Sequence, residues 1–381
     1  MTSEFDGYRP PSEPRRRRWG GKKRRRGGGQ MLADGSREMS MVPDVEFRKT
    51  SEFKKAGEFE EAGEFDSYYG HNVVKPAPWG HEVAAYLFLG GVAGGSGVLA
   101  AGAHLTGRKQ LRRNARLGGM GALGLGAVAL VADLGRPDRF YNMLRTFKVT
   151  SPMSVGSWIL SAFGGAFAVG FAAEADRLLG ERLPLGPLRK VLQIAETPST
   201  LAAGAIGPPL AVYTAVLLSD TATPTWNAMH RDLPFVFVSS ASLAASGLAM
   251  VTTRPSETGP ARALAAIGVV GDIAAMKYME SRMDPVAAEP LHHGTAGTLL
   301  KWSERLAFAG GLGAVFFGHR RSAAIVSGLS LLTASAFTRF GVFDAGIESA
   351  KNPRYTIEPQ KRRLAERRAR GIVDDSITTA E

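Results

Sequence analysis

Residues 117–140 read LGGMGALGLGAVALVADLGRPDRF. From 117 to 132 the stretch carries no charge and consists of apolar and small residues. It then meets Asp133, followed by a Gly-Arg-Pro break, a second acid at Asp138 and a second base at Arg139. Pro137 cannot continue a helical hydrogen-bond ladder, so the helix must stop near Asp133. A carboxylate at the end of such a run is costly unless it is paired or has a task.

The same pattern recurs along the chain. Runs free of Asp, Glu, Lys and Arg cover 83–103, 152–173, 198–219 and 233–253. A run of about 18 or more such residues can cross a bilayer core of about 30 Å. Three weaker runs follow, at 263–276 (interrupted by Asp272), 306–318 and 322–338. The count is eight spans. A large soluble helical protein is the alternative, but five strong charge-free runs in one chain are rare in soluble folds.

The mean hydropathy of −0.06 conceals this partition, because charge collects at the two ends. The formal net charge of +12 comes largely from RRRRWGGKKRRRGGG (15–29) and KRRLAERRAR (361–370). Such basic tails are expected to be solvated and held near anionic lipid headgroups. No folded nucleic-acid module surrounds them, so nucleic acid is not an expected partner. No apolar stretch follows the first block closely, which argues against a twin-arginine export signal. Residues 1–66 have the composition of a disordered tail with Phe47, Phe53, Phe59 and Phe65 at a period of six. Tyr68, Tyr69 and Trp79 suit a membrane–water interface ahead of the first span.

The chain has no cysteine, so it cannot ligate its own iron–sulfur cluster by thiolates or run a thiol redox pair. Its histidines stand at 71, 81, 104, 230, 292, 293 and 319, none of them in mid-span. Neither haem nor a metal site is expected. Gly90/Gly94 and Gly91/Gly95 give the first span two small-xxx-small pairs for close helix packing.

With eight spans both tails lie on one face, here called A, with the loops after spans two, four and six. The basic tails favour a cytoplasmic face A in the cell membrane, although Arg108, Lys109, Arg112, Arg113 and Arg116, read as a loop on face B, oppose that assignment. His81, Glu82, Asp133 and Tyr213 are all expected near face A. Asp272 falls in mid-span, where an acid is either a proton relay or paired with Lys277 or Arg305. His104 and Glu174 end spans one and three on face B and are candidates to feed protons from that side.

DLGRPDRFYNML (133–144), SPMSVGSW (151–158), PLAVYTAVLLSDTATPTW (209–226) and RFGVFDAGIESAKNPRYTIEPQKRRL (339–364) together resemble the NrfD/PsrC family, and YLFLGGVAGG (86–95) fits its first span. The resemblance covers roughly residues 67–364. It implies an all-α, polytopic membrane protein of eight transmembrane helices in two four-helix bundles, haem-free, with the domain at 67–344 and a charged tail at 345–381. It further implies a quinone or menaquinone site beside an iron–sulfur, ferredoxin-like subunit, with a molybdopterin catalytic subunit beyond. Asp133 and Tyr213 match the family's quinone-site acid and tyrosine, and His81 and Glu82 stand where the first span would meet the head group. Arg136, Pro137, Arg139 and Phe140 would dock the partner. Proton movement through Asp272, His104 and Glu174 is a further expectation. The alternatives are a secondary transporter, or a pure anchor without quinone chemistry.

Overall fold

The computed structural model describes residues 72–372, apart from Gly135 and Leu183. The expected tail at 1–66, Tyr68, Tyr69 and residues 373–381 lie outside them. The described residues are helical, without strands. Eight long helices run α1 His81–Leu105, α2 Lys109–Ala132, α3 Pro152–Leu178, α4 Leu188–Ser219, α5 Leu233–Thr252, α6 Gly259–Arg282, α7 Gly294–Leu312 and α8 Arg321–Lys351, and a ninth, α9, covers Arg354–Ala369. All of the eight except α7 are long and apolar enough to cross a membrane, seven among the described residues. α7 continues through a π-helical turn at Gly313–Phe317.

The helix ends follow from local chemistry. α3 begins at Pro152, whose fixed φ suits a first helical turn, and the Ser151 hydroxyl accepts from the Ser154 amide at 3.5 Å. α2 ends at Asp133, and Pro137 opens a separate 3₁₀ segment, Pro137–Leu144. α4 keeps Pro198, Pro208 and Pro209 in its interior, which neighbouring helices make tolerable in a membrane protein.

α1 is the most enclosed span and packs against α2, α4 and α5. Its small residues allow this. A Cβ on Gly94 would lie 2.5 Å from the Gly207 carbonyl oxygen of α4, so two backbones touch there. Gly91 and Gly95, on an adjoining face, rest on Ala241 and Ala245 of α5. α5 in turn packs on α6 and α8, and α7 pairs with α8. Large apolar side chains point outward along the spans: Leu125, Val128, Ile194, Ile267, Val270, Phe316 and Val326 are all exposed. Bare of lipid this belt would be an aggregation surface, and in a bilayer it is the contact face.

Successive helices alternate in direction, and cross-links fix which ends share a face. The His81 ring nitrogen Nε2 lies 3.1 Å from Asp344 Oδ1, joining the start of α1 to the end of α8. Arg321, at the start of α8, donates to the carbonyls of Met250, Val251 and Thr253 at the end of α5. The first and last of the eight helices therefore open and close on the same face, A.

Three boundaries differ from the sequence reading. α2 starts at Lys109 rather than 117, because Arg112 and Arg116 find acidic partners inside the bundle. α8 runs to Lys351, past the expected domain end at 344. Part of the expected 345–381 tail is helix α9, tied by Arg354 to Glu289 at 2.9 Å and by Arg362 to Asp284 at 3.0 Å.

Candidate functional site

Asp133 follows directly on α2, half-buried, where the chain leaves the bundle. Its Oδ1 accepts a hydrogen bond from the Gly80 amide at 3.2 Å. Gly80 is the residue before α1, and its N–H is one of the donors that a helix start leaves unsatisfied. The carboxylate therefore fastens the end of α2 to the beginning of α1. The exposed Glu82 side chain folds back over Gly80.

Below this rim lies a pair of phenols. The hydroxyl groups of Tyr86 on α1 and Tyr213 on α4 hydrogen-bond to each other, and both rings are buried. Tyr86 is five residues inside α1 and Tyr213 six residues inside the face-A end of α4. At 1.5 Å per residue both are roughly 8 Å below the helix ends, so their meeting is a matter of matched depth. The Tyr213 ring packs directly on Gly156 of α3, where any Cβ would collide with it. The Tyr86 ring passes Gly126 of α2, with 3.5 Å from its edge to where a Cβ would stand. Helices α1 to α4 thus all pack around the phenol pair. One phenol donates to the other, which leaves one hydroxyl hydrogen available to a third acceptor.

The remaining expected residues divide. His81 shares the rim but turns away from Asp133: its ring faces Asp344 and lies between Phe340 and Phe343 of α8. It borders a separate cavity of about 590 Å³ lined by Trp79, His293, Asp344, Glu348 and Tyr355, among others. The segment after Asp133 is a surface. Arg136, Pro137, Arg139 and Phe140 are exposed, Arg139 stands 4.0 Å from Asp138, and Tyr141, Phe147 and Val149 extend the apolar patch.

The three residues expected on a proton path do not form one chain of groups. His104 and Glu174 belong to a buried ionic cluster at face B. Arg116, 1% exposed, donates to Glu174 at 2.9 Å, Glu196 at 2.7 Å and Thr200 at 2.7 Å. Arg112 reaches Glu174 at 3.0 Å, Arg177 pairs with both acids, and His104 Nε2 is 3.0 Å from the Thr197 hydroxyl. Sequence reasoning placed Arg112 and Arg116 in a loop. In the fold they are interior to α2, and the signal for this was Glu174 and Glu196 at the matching ends of the third and fourth spans.

Asp272 stands elsewhere, buried on α6. The charge that acts on it is Arg339 of α8, rather than the Lys277 or Arg305 expected. Lys277 pairs with Glu304 at 3.4 Å and Arg305 lies over the Trp302 ring. Arg339 donates to the Phe237 carbonyl at 2.5 Å and stacks 3.7 Å from the Phe237 ring. Asp272 Oδ1, and Nε and Nη1 of Arg339, have no hydrogen-bond partner among the described residues.

The family described as polysulphide reductase, NrfD, matches residues 71–267, more than half of the chain. No curated protein matches it. The matched segment contains Asp133, the Tyr86–Tyr213 pair, Gly156 and the exposed 137–149 surface, and it stops short of Asp272. With its apolar helices and its fold assembled around α1, this chain belongs to the NrfD polysulphide reductase family of multi-pass membrane proteins.

Proposed function

We propose that the chain is the quinone-reactive membrane subunit of an oxidoreductase complex. It would anchor an iron–sulfur subunit and, through it, a molybdopterin enzyme. In this reading all eight long helices cross the bilayer, α7 included, because α7 pairs along its length with α8.

The observation that carries the reading is the buried phenol pair beneath a carboxylate rim. A pure anchor gains nothing from a tyrosine pair enclosed by four helices, one of which gives up a side chain at Gly156 to admit a ring. A quinone head group needs a hydrogen-bond donor at a carbonyl oxygen and a nearby group able to take or return a proton. The Tyr213 hydroxyl, oriented by Tyr86, supplies the donor, and Asp133 supplies a half-buried proton acceptor where the chain meets water. When bound, the quinone itself carries the electrons. The exposed segment with Arg136, Arg139 and Phe140 next to Asp133 is the docking surface in this reading, since it mixes basic and aromatic residues as interfaces do. Asp272, His104 and Glu174 have no part in it.

The test is to extract the chain from its native membrane in mild detergent and identify what co-purifies. A ferredoxin-like subunit together with a molybdopterin subunit supports the reading. A chain that emerges alone, from membranes whose other complexes survive extraction, contradicts it.

A further inference from the structure

Helix α6 begins at face B and α7 ends there. Between them runs an apolar groove of about 480 Å³, within the roughly 300–1,000 Å³ of small-molecule sites. Ala266, Val270 and Ala274 of α6 form one wall. Phe308 and Leu312 of α7, with Phe316 of its π-helical turn, form the other. From Ala266 to Ala274, and from Phe308 to Phe316, the groove runs about 12 Å along each helix. Its floor closes where Gly311 meets Val269, since a Cβ on the glycine would stand 2.8 Å from Val269 Cγ2. Phe308, Leu312 and Phe316 are exposed, so the groove opens sideways to lipid. A slot between exposed phenylalanines takes an extended hydrocarbon chain. A helix, about 10 Å across with its side chains, needs a wider seat of small residues.

The mouth of the groove at face B is basic. Arg262 lies one turn before Ala266 on the same side of α6. Its side chain crosses the end of α7: a Cβ on Gly318, two residues past Phe316, would stand 2.6 Å from Arg262 Cδ. Arg262 Nε is buried and has no hydrogen-bond partner among the described residues. His319 and Arg320 follow Gly318 and are exposed, whereas Arg321 is committed to the carbonyls at the end of α5. No carboxylate on these elements balances them, because the chain holds no Asp or Glu from 258 to 271 or from 305 to 343. Glu257, the acid just before α6, accepts instead from the Gln110 and Leu111 amides at 2.8 and 3.1 Å, at the start of α2. A zwitterionic headgroup brings a cation along with its phosphate. An anionic one brings only the charge that this mouth lacks, in the form that guanidinium groups pair with best.

We propose that the α6–α7 groove binds one anionic phospholipid, its phosphate at Arg262 and Arg320 and one acyl chain in the groove. The site rests on α7 lying in the bilayer, as in the reading above, and on no quinone chemistry.

The experiment is native mass spectrometry of the detergent-extracted assembly, delipidated and then titrated with dioleoyl phosphatidylglycerol or dioleoyl phosphatidylcholine. The two share their tails and differ in headgroup charge. The wild type is expected to hold one phosphatidylglycerol per chain about tenfold more tightly than phosphatidylcholine, the worth of one charge-assisted contact. Equal binding of the two overturns the site, and this comparison needs no variant. Ala274→Trp fills the groove from an exposed position and should abolish the tight molecule. Val326→Trp, also exposed but on α8 outside the groove, should retain it. Arg262→Gln should weaken it about tenfold. Selective phosphatidylglycerol binding that Ala274→Trp leaves intact belongs to the basic tails and overturns the site. Loss on Ala274→Trp with no change in Arg262→Gln means a tail held without its headgroup, and it overturns the anionic site. Loss of a membrane protein chain on Ala274→Trp, rather than of a lipid, makes the groove a helix seat and overturns it as well. None of these readouts involves quinol turnover, so failure here leaves the Tyr86–Tyr213 reading standing.

Discussion

The hydroxyl of Tyr86 and the hydroxyl of Tyr213 are hydrogen-bonded across 127 positions of sequence, at the same depth below face A. α1 brings one and α4 the other, and the two helices cross where Gly94 meets Gly207. The close crossing makes the phenol contact attainable, so packing and site share one cause.

Tyr86 opens the first-span stretch YLFLGGVAGG but was not expected as a site residue. If it orients the Tyr213 hydroxyl, Tyr86→Phe lowers quinol-linked electron transfer by about a hundredfold, at the lower end of what a positioned proton donor contributes. The fall should lie in turnover and leave the amount of assembled complex unchanged. Steady-state assays with a soluble quinol, alongside native gels, check both.

Gly156→Ala drives a methyl group into the Tyr213 ring. Overpacking of this sort costs about 1–3 kcal/mol. Gly165→Ala on the same helix meets open space and serves as the control. Thermal unfolding in detergent should separate the two by several degrees, and only Gly156→Ala should also impair quinol turnover.

Arg116 holds two buried acids at face B. Removing it in Arg116→Ala leaves Glu174 and Glu196 short of a cation, a loss of about 3–5 kcal/mol for a broken buried pair. Arg116→Lys should recover only part of this, because an ammonium cannot reproduce the guanidinium fork that meets Glu174, Glu196 and Thr200 together. Folded yield in the membrane and thermal stability after extraction report the order wild type, Lys, Ala.

The α1–α4 crossing is equally specific. Gly207→Leu places a branched side chain against the Gly94 carbonyl. Since no rearrangement of side chains can relieve a backbone contact, the expected outcome is failure to accumulate folded protein. Gly102→Leu, on α1 where a Cβ meets nothing, should accumulate normally.

Charge-free length exposed most of this fold in the sequence, and it failed where charge is buried in pairs. The run at 117–132 located α2 but missed its first two turns, because Arg112 and Arg116 read as loop residues until Glu174 and Glu196 stand opposite them. The run at 322–338 stopped at Arg339, which stacks on the Phe237 ring, donates to the Phe237 carbonyl and faces the charge of Asp272. Of the site, the carboxylate at the end of α2 and the tyrosine of α4 were legible from spacing and depth. His81 was legible only as a position on the rim, since its turn toward Asp344 depends on where α8 ends. Tyr86 lay in the quoted first-span stretch at 86–95 without standing out as a site residue, and its equal depth with Tyr213 is what distinguishes it.

The most direct measurement is quinol-linked electron transfer in Tyr213→Phe and Asp133→Asn, each shown to assemble with its partner subunits. Both variants should lose most of this activity, while electron transfer from an artificial donor to the soluble subunits persists. Full quinol-linked activity in both variants would contradict the proposed quinone site.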